Sequence, residues 1–332
     1  MSPVRIVNFA DIAGPDWTFL KEKIRTKPVI WSFYTSTPKT WIERLIRRPN
    51  LARLRASIQT GFSARTTDAD LIISHLPRAT LWVAIFARLF KSQSRHIAFS
   101  FNFTQLPAGI NKVLMRYAFK GVDRFVVFSE AEKYLYAPFF SLDVDRFDVM
   151  RWCMERPKTA TLAAELPGKY ICAVGGEGRD YASLLSASRH LPEIPIVIVA
   201  RPGSLAGLDV PPNVLVFTDI KNEEFWGVVQ KSSFVVLPLK DASTNCGHIS
   251  IVGSQLFGKP IVSTYSSGTR EYLQHGHNSL MGMPGNSQEL GMNIQKMWED
   301  QAFYERLQMN IASEDSKYAI DNWADYFDRY FH

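Results

Sequence analysis

Short apolar runs alternate with amphipathic stretches along most of this 332-residue chain, and that alternation limits the folds open to it. Strand-like runs occupy Val4–Phe9, Val29–Phe33, Leu71–Ser74, His96–Phe101 and Phe125–Phe128, with helix-like stretches between them at Trp17–Lys23, Thr40–Arg48, Thr80–Lys91 and Ile110–Phe119. Near-continuous apolar strands separated by amphipathic helices predict a parallel sheet covered on both faces. In "MERPKTATLAAELPGKY" (154–170) the pattern gives way to prolines, a glycine and small residues, and then it restarts. Tyr170–Val174, Ile194–Val199, Val214–Phe217, Phe234–Leu237 and Ile261–Thr264 read as a second set of strands, with helices over 181–190 and near Glu223–Gln230. From Ser287 the pattern is helical to the aromatic-rich end, "DNWADYFDRYFH". The expected fold is α/β, with two Rossmann-like doubly wound domains, a cleft between them and a C-terminal helical tail. Residues 1–154 make the first domain, 155–168 a linker, 169–310 the second domain, and 311–332 a helix that packs back on the first. Ligands of such sheets bind outside the carboxyl ends of the strands, which points to the cleft as the site.

Charge and cysteine content narrow the classes further. The formal net charge is +6, and "KTWIERLIRRPNLARLR" (39–55) sets six basic residues against Glu43 alone. Within it Trp41, Ile42, Leu45 and Ile46 form an apolar stripe flanked by Arg44, Arg47 and Arg48. A basic amphipathic helix with aromatics suits an anionic membrane surface; the competing reading is a core-packing helix with a solvated basic face. No recognition motif accompanies the arginines, so nucleic acid is not expected as a partner. Cys153, Cys172 and Cys246 lie far apart without metal-ligand spacing, which argues against a disulfide framework or a structural zinc site. The N-terminal residues lack a signal-peptide core, and the apolar run 79–90 is too short to span a bilayer. A cytoplasmic protein, peripheral at the inner face of a membrane, is expected.

The stretch "TNCGHISIVGSQLFGKPIVST" (244–264) carries the clearest chemistry. A helix beginning at "CGHIS" presents unpaired N–H groups and a partial positive charge, which suit a diphosphate. Gly247 lets a phosphate approach the backbone of His248, Ile249 and Ser250, and the Ser250 hydroxyl can donate. Arg179, in "GGEGRD" after Gly176, supplies a planar two-pronged donor. Arg201 and Lys240, each after a strand, are candidates for a second phosphate cation. His248 reads as a phosphate or hydroxyl ligand or as a loop residue. Glu271, early in an expected helix after Gly268, reads as a sugar or ribose contact or as a residue favouring a helix N-terminus. The bland alternative for Gly247 and Gly258 is that they only mark the ends of a buried helix. In the first half, Gly14 permits close approach of donor or acceptor, or serves turn chemistry with Pro15. His75 follows a strand and is the histidine best placed to act as a base or hydroxyl ligand; the competing reading is a satisfied structural histidine.

Several blocks in order resemble the donor-binding domain of GT-B glycosyltransferases, in particular the retaining family 4. They are "YICAVGGEGRDYASLLSA" (170–187), "PNVLVFTDIKNEEFWGVVQKSSFVVLPL" (212–239), the stretch ending in Gly-Lys-Pro-Ile-Val, and "SSGTREYLQHGHNSLM" (266–281). More loosely, "DADLIISHLPRATLWVAIFARLFKSQSRHIAFSFN" and "VDRFVVFSEAEKYL" resemble the family's acceptor half. The resemblance implies transfer of a sugar from a nucleotide diphosphate sugar, such as a UDP- or GDP-sugar, to a glycan or lipid-linked acceptor. It also implies retention of configuration and no metal or other cofactor. Asn102 aligns with the family's catalytic-site histidine and is implied on the acceptor side; His75 and Arg179 complete the implied catalytic set. Two family glutamates, eight residues apart, are matched here by Asn245 and Gly253, and one of them ordinarily holds the ribose hydroxyls. Those departures keep open a non-catalytic sugar-nucleotide or glycan-binding protein. A nucleotide-sugar epimerase or a hydrolase also stays open. A dinucleotide dehydrogenase fits less well, because no GxGxxG follows the first strand.

Overall fold

The computed structural model describes residues 2–10, 28–46, 50–103, 105–176 and 178–329. Gly14, Arg47, Arg48 and the expected helix over Trp17–Lys23 lie outside the described residues. The chain divides into two compact units, 1–150 with 321–332, and 151–320.

In the first unit β1 (Val4–Ala10) and β2 (Val29–Thr35) precede the short α1 (Trp41–Leu45) and the long α2 (Leu51–Thr66). There follow β3 (Leu71–His75), α3 (Pro77–Leu89), β4 (Arg95–Phe99), α4 (Gly109–Phe119), β5 (Arg124–Val127), α5 (Glu130–Phe140) and β6 (Phe147–Val149). All pairings are parallel, in the order β2-β1-β3-β4-β5-β6. The chain reverses its direction across the sheet between β1 and β3, and Asn8 of β1 and His75 of β3 meet there. An aromatic cluster fills the space under α4 and α5, with Phe101 within 4.8 Å of Phe125 and 5.1 Å of Phe119 between ring centroids.

The expected helix over Thr40–Arg48 is shorter than the sequence pattern suggests. A Thr40–Glu43 capping box starts α1, but Ile46 is already extended. Glu43 is drawn off to Arg55, 2.6 Å away, and none of the five helical residues is buried. Core packing therefore does not explain Trp41 and Leu45, which are both largely exposed.

The second unit runs β7 (Ile171–Val174), α6 (Tyr181–Ser188), β8 (Ile196–Ala200), β9 (Val214–Thr218), α7 (Asn222–Lys231), β10 (Val235–Leu237), α8 (His248–Leu256), β11 (Ile261–Thr264), β12 (Ser279–Gly282), α9 (Ser287–Glu299) and α10 (Gln301–Ala312). Residues 155–168, set apart by composition, belong to this unit: Leu162 and Leu166 pack on its core, and the Ala160 N–H donates to Glu223 O. The parallel sheet has the order β12-β11-β10-β7-β8-β9. Side chains alternate between its faces, as strand geometry requires. Ile171, Ala173, Ile196 and Ile198 enter one core with α6, α9 and α10, while Cys172, Val174, Val197 and Val199 enter the other with α7 and α8. Both faces are thus covered, which is why these strands read as unbroken apolar runs. The winding turns back between β7 and β10, so the segments after those two strands share one switch point.

The last helix, α11 (Asp321–Asp328), belongs to the first unit. Trp323 and Phe327 pack on Phe99 of β4 at 4.8 and 5.2 Å. Among the described residues, no helix is long and apolar enough to cross a membrane.

Candidate functional site

The turn after β7 is built from glycines because side chains press on it from every side. Gly175 and Gly178 have φ of +105° and +63°, in the left-handed region open to glycine. A Cβ on Gly175 would lie 2.8 Å from Arg179 Nη2, one on Gly176 2.7 Å from Arg201 Cγ, and one on Gly178 2.6 Å from Cys246 Sγ. The turn is tied to the segment after β10 by Asp180 N–H to Pro238 O at 2.9 Å and Lys240 N–H to Gly178 O at 3.0 Å.

Arg179 is buried within this frame. Its Nε donates to Val174 O at 3.1 Å, its Nη2 donates to Ser250 Oγ at 3.1 Å, and Nη1 lies 3.6 Å from Cys246 Sγ. The guanidinium is therefore fixed against the first turn of α8. Gly247 caps that helix with φ +102° and, having no side chain, leaves the partial positive charge of the helix end without a cap from its own N-cap residue. Ser250 accepts from Arg179 and keeps its own hydroxyl proton as a donor. Ile249, the next residue along the turn from the His248 position, is about half exposed. Arg179, Gly247, His248, Ile249 and Ser250 thus converge at one helix N-terminus. Lys240 and Arg201 are exposed and border it, through the Gly178 carbonyl and the Gly176 backbone respectively.

His248 has a narrower role than a phosphate ligand. It is buried, its ring packs 4.9 Å from Tyr272, and its Nε2 lies 2.8 Å from the Gly268 carbonyl. A carbonyl only accepts, so Nε2 carries the proton. Burial first, and the Arg179 charge in addition, lower its pKa to about 4, with the Gly268 bond opposing them. A neutral ring whose N–H is committed to Gly268 cannot donate to an anion. It ties α8 to the 266–269 turn. Asn245 is joined to the same turn: Ser267 Oγ donates to its Oδ1 at 2.8 Å, and Gly268 abuts its Cα.

Glu271 lies in a turn and not in the expected helix. Tyr272 and Leu273 N–H both donate to Thr269 O, and the chain then leaves helical geometry. The Glu271 carbonyl accepts from Arg151 Nε at 3.1 Å.

Position 253, where the resemblance sets a glutamate, is filled by another side chain. A Cβ on Gly253 would fall 2.2 Å from the indole of Trp226 in α7, itself buried. The glycine and the tryptophan are one packing unit, with no room for a carboxylate. Gly253→Glu is expected to lower stability by about 3 kcal/mol, the upper end for overpacking, and combined with Trp226→Ala the loss should fall short of the sum of the two single losses. Urea midpoints measure both, and an unchanged midpoint for the single variant would contradict this packing.

In the first unit, His75 is fully buried, 5.5 Å from the Phe99 ring, and its Nε2 donates to Asn8 Oδ1 at 3.0 Å. Burial lowers its pKa to about 3. That environment makes it a neutral strut between β3 and β1, separated from any substrate on the surface. Asn102, half-buried after β4, donates from Nδ2 to Glu132 Oε1. Glu132 went unnoticed in the sequence, although Ser129-x-x-Glu132 has the spacing of a helix start. Its carboxyl is buried, accepts from Phe128 N–H at 2.8 Å and Tyr136 Oη at 3.2 Å, and is pushed up to about 7 by burial against those bonds. An amide has no titratable proton, so Asn102 can orient a hydroxyl and cannot remove its proton.

Neither a protein-family model nor a curated protein matches the sequence. Solved structures match it over nearly its whole length. HepE from Anabaena, crystallised with UDP, is 15% identical with a TM-score of 0.69, covering 98% of both chains; the same protein has also been crystallised with UDP-glucose. Sucrose-phosphate synthase from Thermosynechococcus elongatus is 12% identical with a TM-score of 0.73, over 99% of this chain and 98% of that one. The lipopolysaccharide outer core galactosyltransferase WaaB, in its apo form, is 12% identical with a TM-score of 0.65, over 99% of each chain. Two parallel doubly wound sheets flanked by helices agree with that likeness: the chain has the GT-B fold.

Proposed function

We propose that this protein is a glycosyltransferase that takes a sugar from a nucleotide diphosphate sugar and attaches it to a glycan or a lipid-linked acceptor. The observation that carries the reading is the buried Arg179 guanidinium held against the glycine-capped N-terminus of α8 at the switch point of the second sheet. Negative charge develops on the leaving nucleoside diphosphate as the bond from the anomeric carbon to phosphate breaks. Donors fixed beforehand at that position stabilise it without reorganising. UDP and UDP-glucose bound to HepE, a protein of the same fold, support a uridine donor.

In this reading Arg179, Ser250 and the N–H groups of the first turn hold the diphosphate, and Lys240 or Arg201 adds a second cation. Gly176 gives the nucleotide close access to the backbone, and Asn245 and Glu271 face the sugar or ribose. Asn102, oriented by Glu132, holds the acceptor hydroxyl; Gly14 belongs to the same acceptor side. Transfer proceeds with retention and without a metal, its charge stabilisation coming from the arginine and the helix end. Trp41, Ile42, Leu45 and Ile46 give the segment 39–55 a peripheral membrane contact at the cytoplasmic face, in keeping with a lipid-linked acceptor.

The test is a release assay for nucleoside diphosphate over UDP-, GDP- and ADP-sugars, with and without glycan and polyprenyl-phosphate-linked sugar acceptors. Release from one donor, accelerated by an acceptor, is the expected result. The filling of position 253 by Trp226 specifically favours the binding-protein alternative, and donor binding without release under every condition would establish it. No binding of any donor would refute both.

A further inference from the structure

The helices of the first unit present a surface that sugar transfer does not use. The connections β2-α2-β3, β3-α3-β4 and β4-α4-β5 all advance in one direction along the sheet, and same-handed crossovers place α2, α3 and α4 on one of its faces. These three helices contain no acidic residue, and from Arg44 to Val122 the only carboxylates are Asp68 and Asp70. Arg65, Arg88, Lys91 and Lys120 are exposed along or beside the helices. Between them the crests are apolar: Phe62 is 55% exposed, Leu89 65%, Ile110 75%, Val113 65% and Tyr117 57%. Ile110, Val113 and Tyr117 fall at i, i+3 and i+7, one stripe of α4. The crests are joined sideways, because Phe62 meets Phe90 edge-on at 5.7 Å and the Arg88 guanidinium lies 4.9 Å over the Tyr117 ring.

We propose that the outer face of α2, α3 and α4 docks on a bilayer that carries anionic lipid. An interfacial surface needs apolar crests to enter the acyl boundary and cations at their flanks to meet the headgroups, and this face has both. A second copy of the chain would bring the same cations against one another. Nucleic acid would satisfy the cations and leave the most exposed side chains, Ile110 and Val113, against phosphate and water. The face lies outside the Trp41–Ile46 stripe, and the inference does not depend on whether the chain transfers a sugar.

Flotation of the full chain with phosphatidylcholine vesicles, with and without phosphatidylglycerol, tests it. Partitioning onto the phosphatidylglycerol vesicles, weakened by salt, is expected. Ile110→Ser with Val113→Ser and Tyr117→Ser should lower it on the order of tenfold, and Arg88→Gln with Lys120→Gln by about twenty-fivefold, at about fivefold per cation. The altered side chains are exposed, so an unchanged melting curve and unchanged UDP binding should accompany both losses. Equal partitioning onto neutral vesicles, or none onto either, would overturn the proposal. So would full partitioning of the α4 variant alongside its abolition by Trp41→Ser with Leu45→Ser, since α1 would then be the whole contact. Retention on heparin or self-association without vesicle binding would assign the face to an anionic polymer or to a second copy, and would also overturn it.

Discussion

Replacing Arg179 with lysine is expected to weaken UDP binding about a hundredfold while leaving the affinity for uridine unchanged. The side chain contributes more than a charge. Val174 O and Ser250 Oγ fix Nε and Nη2 in a plane, with Nη1 beside Cys246, and Gly175 permits the guanidinium to lie across its own turn. Lysine keeps the charge but has neither the planar fork nor the anchors that aim it. Each hydrogen bond to a charged group is worth roughly 1.5–3 kcal/mol, and about 1.4 kcal/mol is a factor of ten, so losing two gives the expected size. Uridine lacks the diphosphate and serves as the internal control. Calorimetric titration reads both affinities, and equal losses for UDP and uridine would place the arginine in the structural frame of the turn and not at the phosphates.

A second large effect concerns pH and the buried carboxyl of Glu132. Burial holds its folded pKa at about 7, above the ordinary 4.5, so the folded chain keeps a proton that the unfolded chain releases over that interval. Its contribution is complete below pH 4.5 and is lost as pH rises through 7. The buried histidines act in the opposite sense. Burial takes His75 and His96 down to about 3 and His248 down to about 4, so the unfolded chain binds protons below pH 6.5 that the folded chain refuses. Their contribution is present above 6.5 and is lost as pH falls. Three protons outweigh one, and stability should climb from pH 4.5 and level off above pH 7, by at most about 1.4 kcal/mol per pH unit for each net proton. Glu132→Gln isolates the carboxyl. Relative to the unaltered chain it should gain about 3 kcal/mol between pH 4.5 and just above 7, measured by urea unfolding across the range. A difference that stays constant with pH would show that Glu132 is ionised in the folded state throughout.

The doubly wound architecture was legible because strands covered on both faces have no polar side to interrupt them, and each sheet core confirms that cause. Helix α2 was missed for the opposite reason. Its buried face is Ala52, Ala56, Ser57, Thr60, Gly61, Ser63 and Ala64, small residues that let it approach α3 closely and leave no periodic trace of leucine or isoleucine. At Gly61 a Cβ would lie 2.8 Å from the Phe86 backbone. The strands β6 and β12, three and four residues long, are too short to show a period. At the candidate site, residue type and spacing were enough to bring Arg179, Gly247 and Ser250 together. They could not reveal that His248 is turned into Gly268, nor that Trp226 occupies the space at Gly253, because both depend on side chains distant in sequence. Glu132 resembled a solvated helix-start residue, and only the fold shows its carboxyl enclosed with Asn102 and Tyr136.

On the reading proposed here, the N-terminus of α8, with Arg179, binds the diphosphate of a sugar donor. Calorimetric titration of the unaltered chain with UDP, UMP and uridine tests it most directly, because only the number of phosphates changes along the series. UDP should bind measurably, UMP more weakly and uridine most weakly. Equal affinities across the three, or no binding by any nucleotide diphosphate, would contradict it.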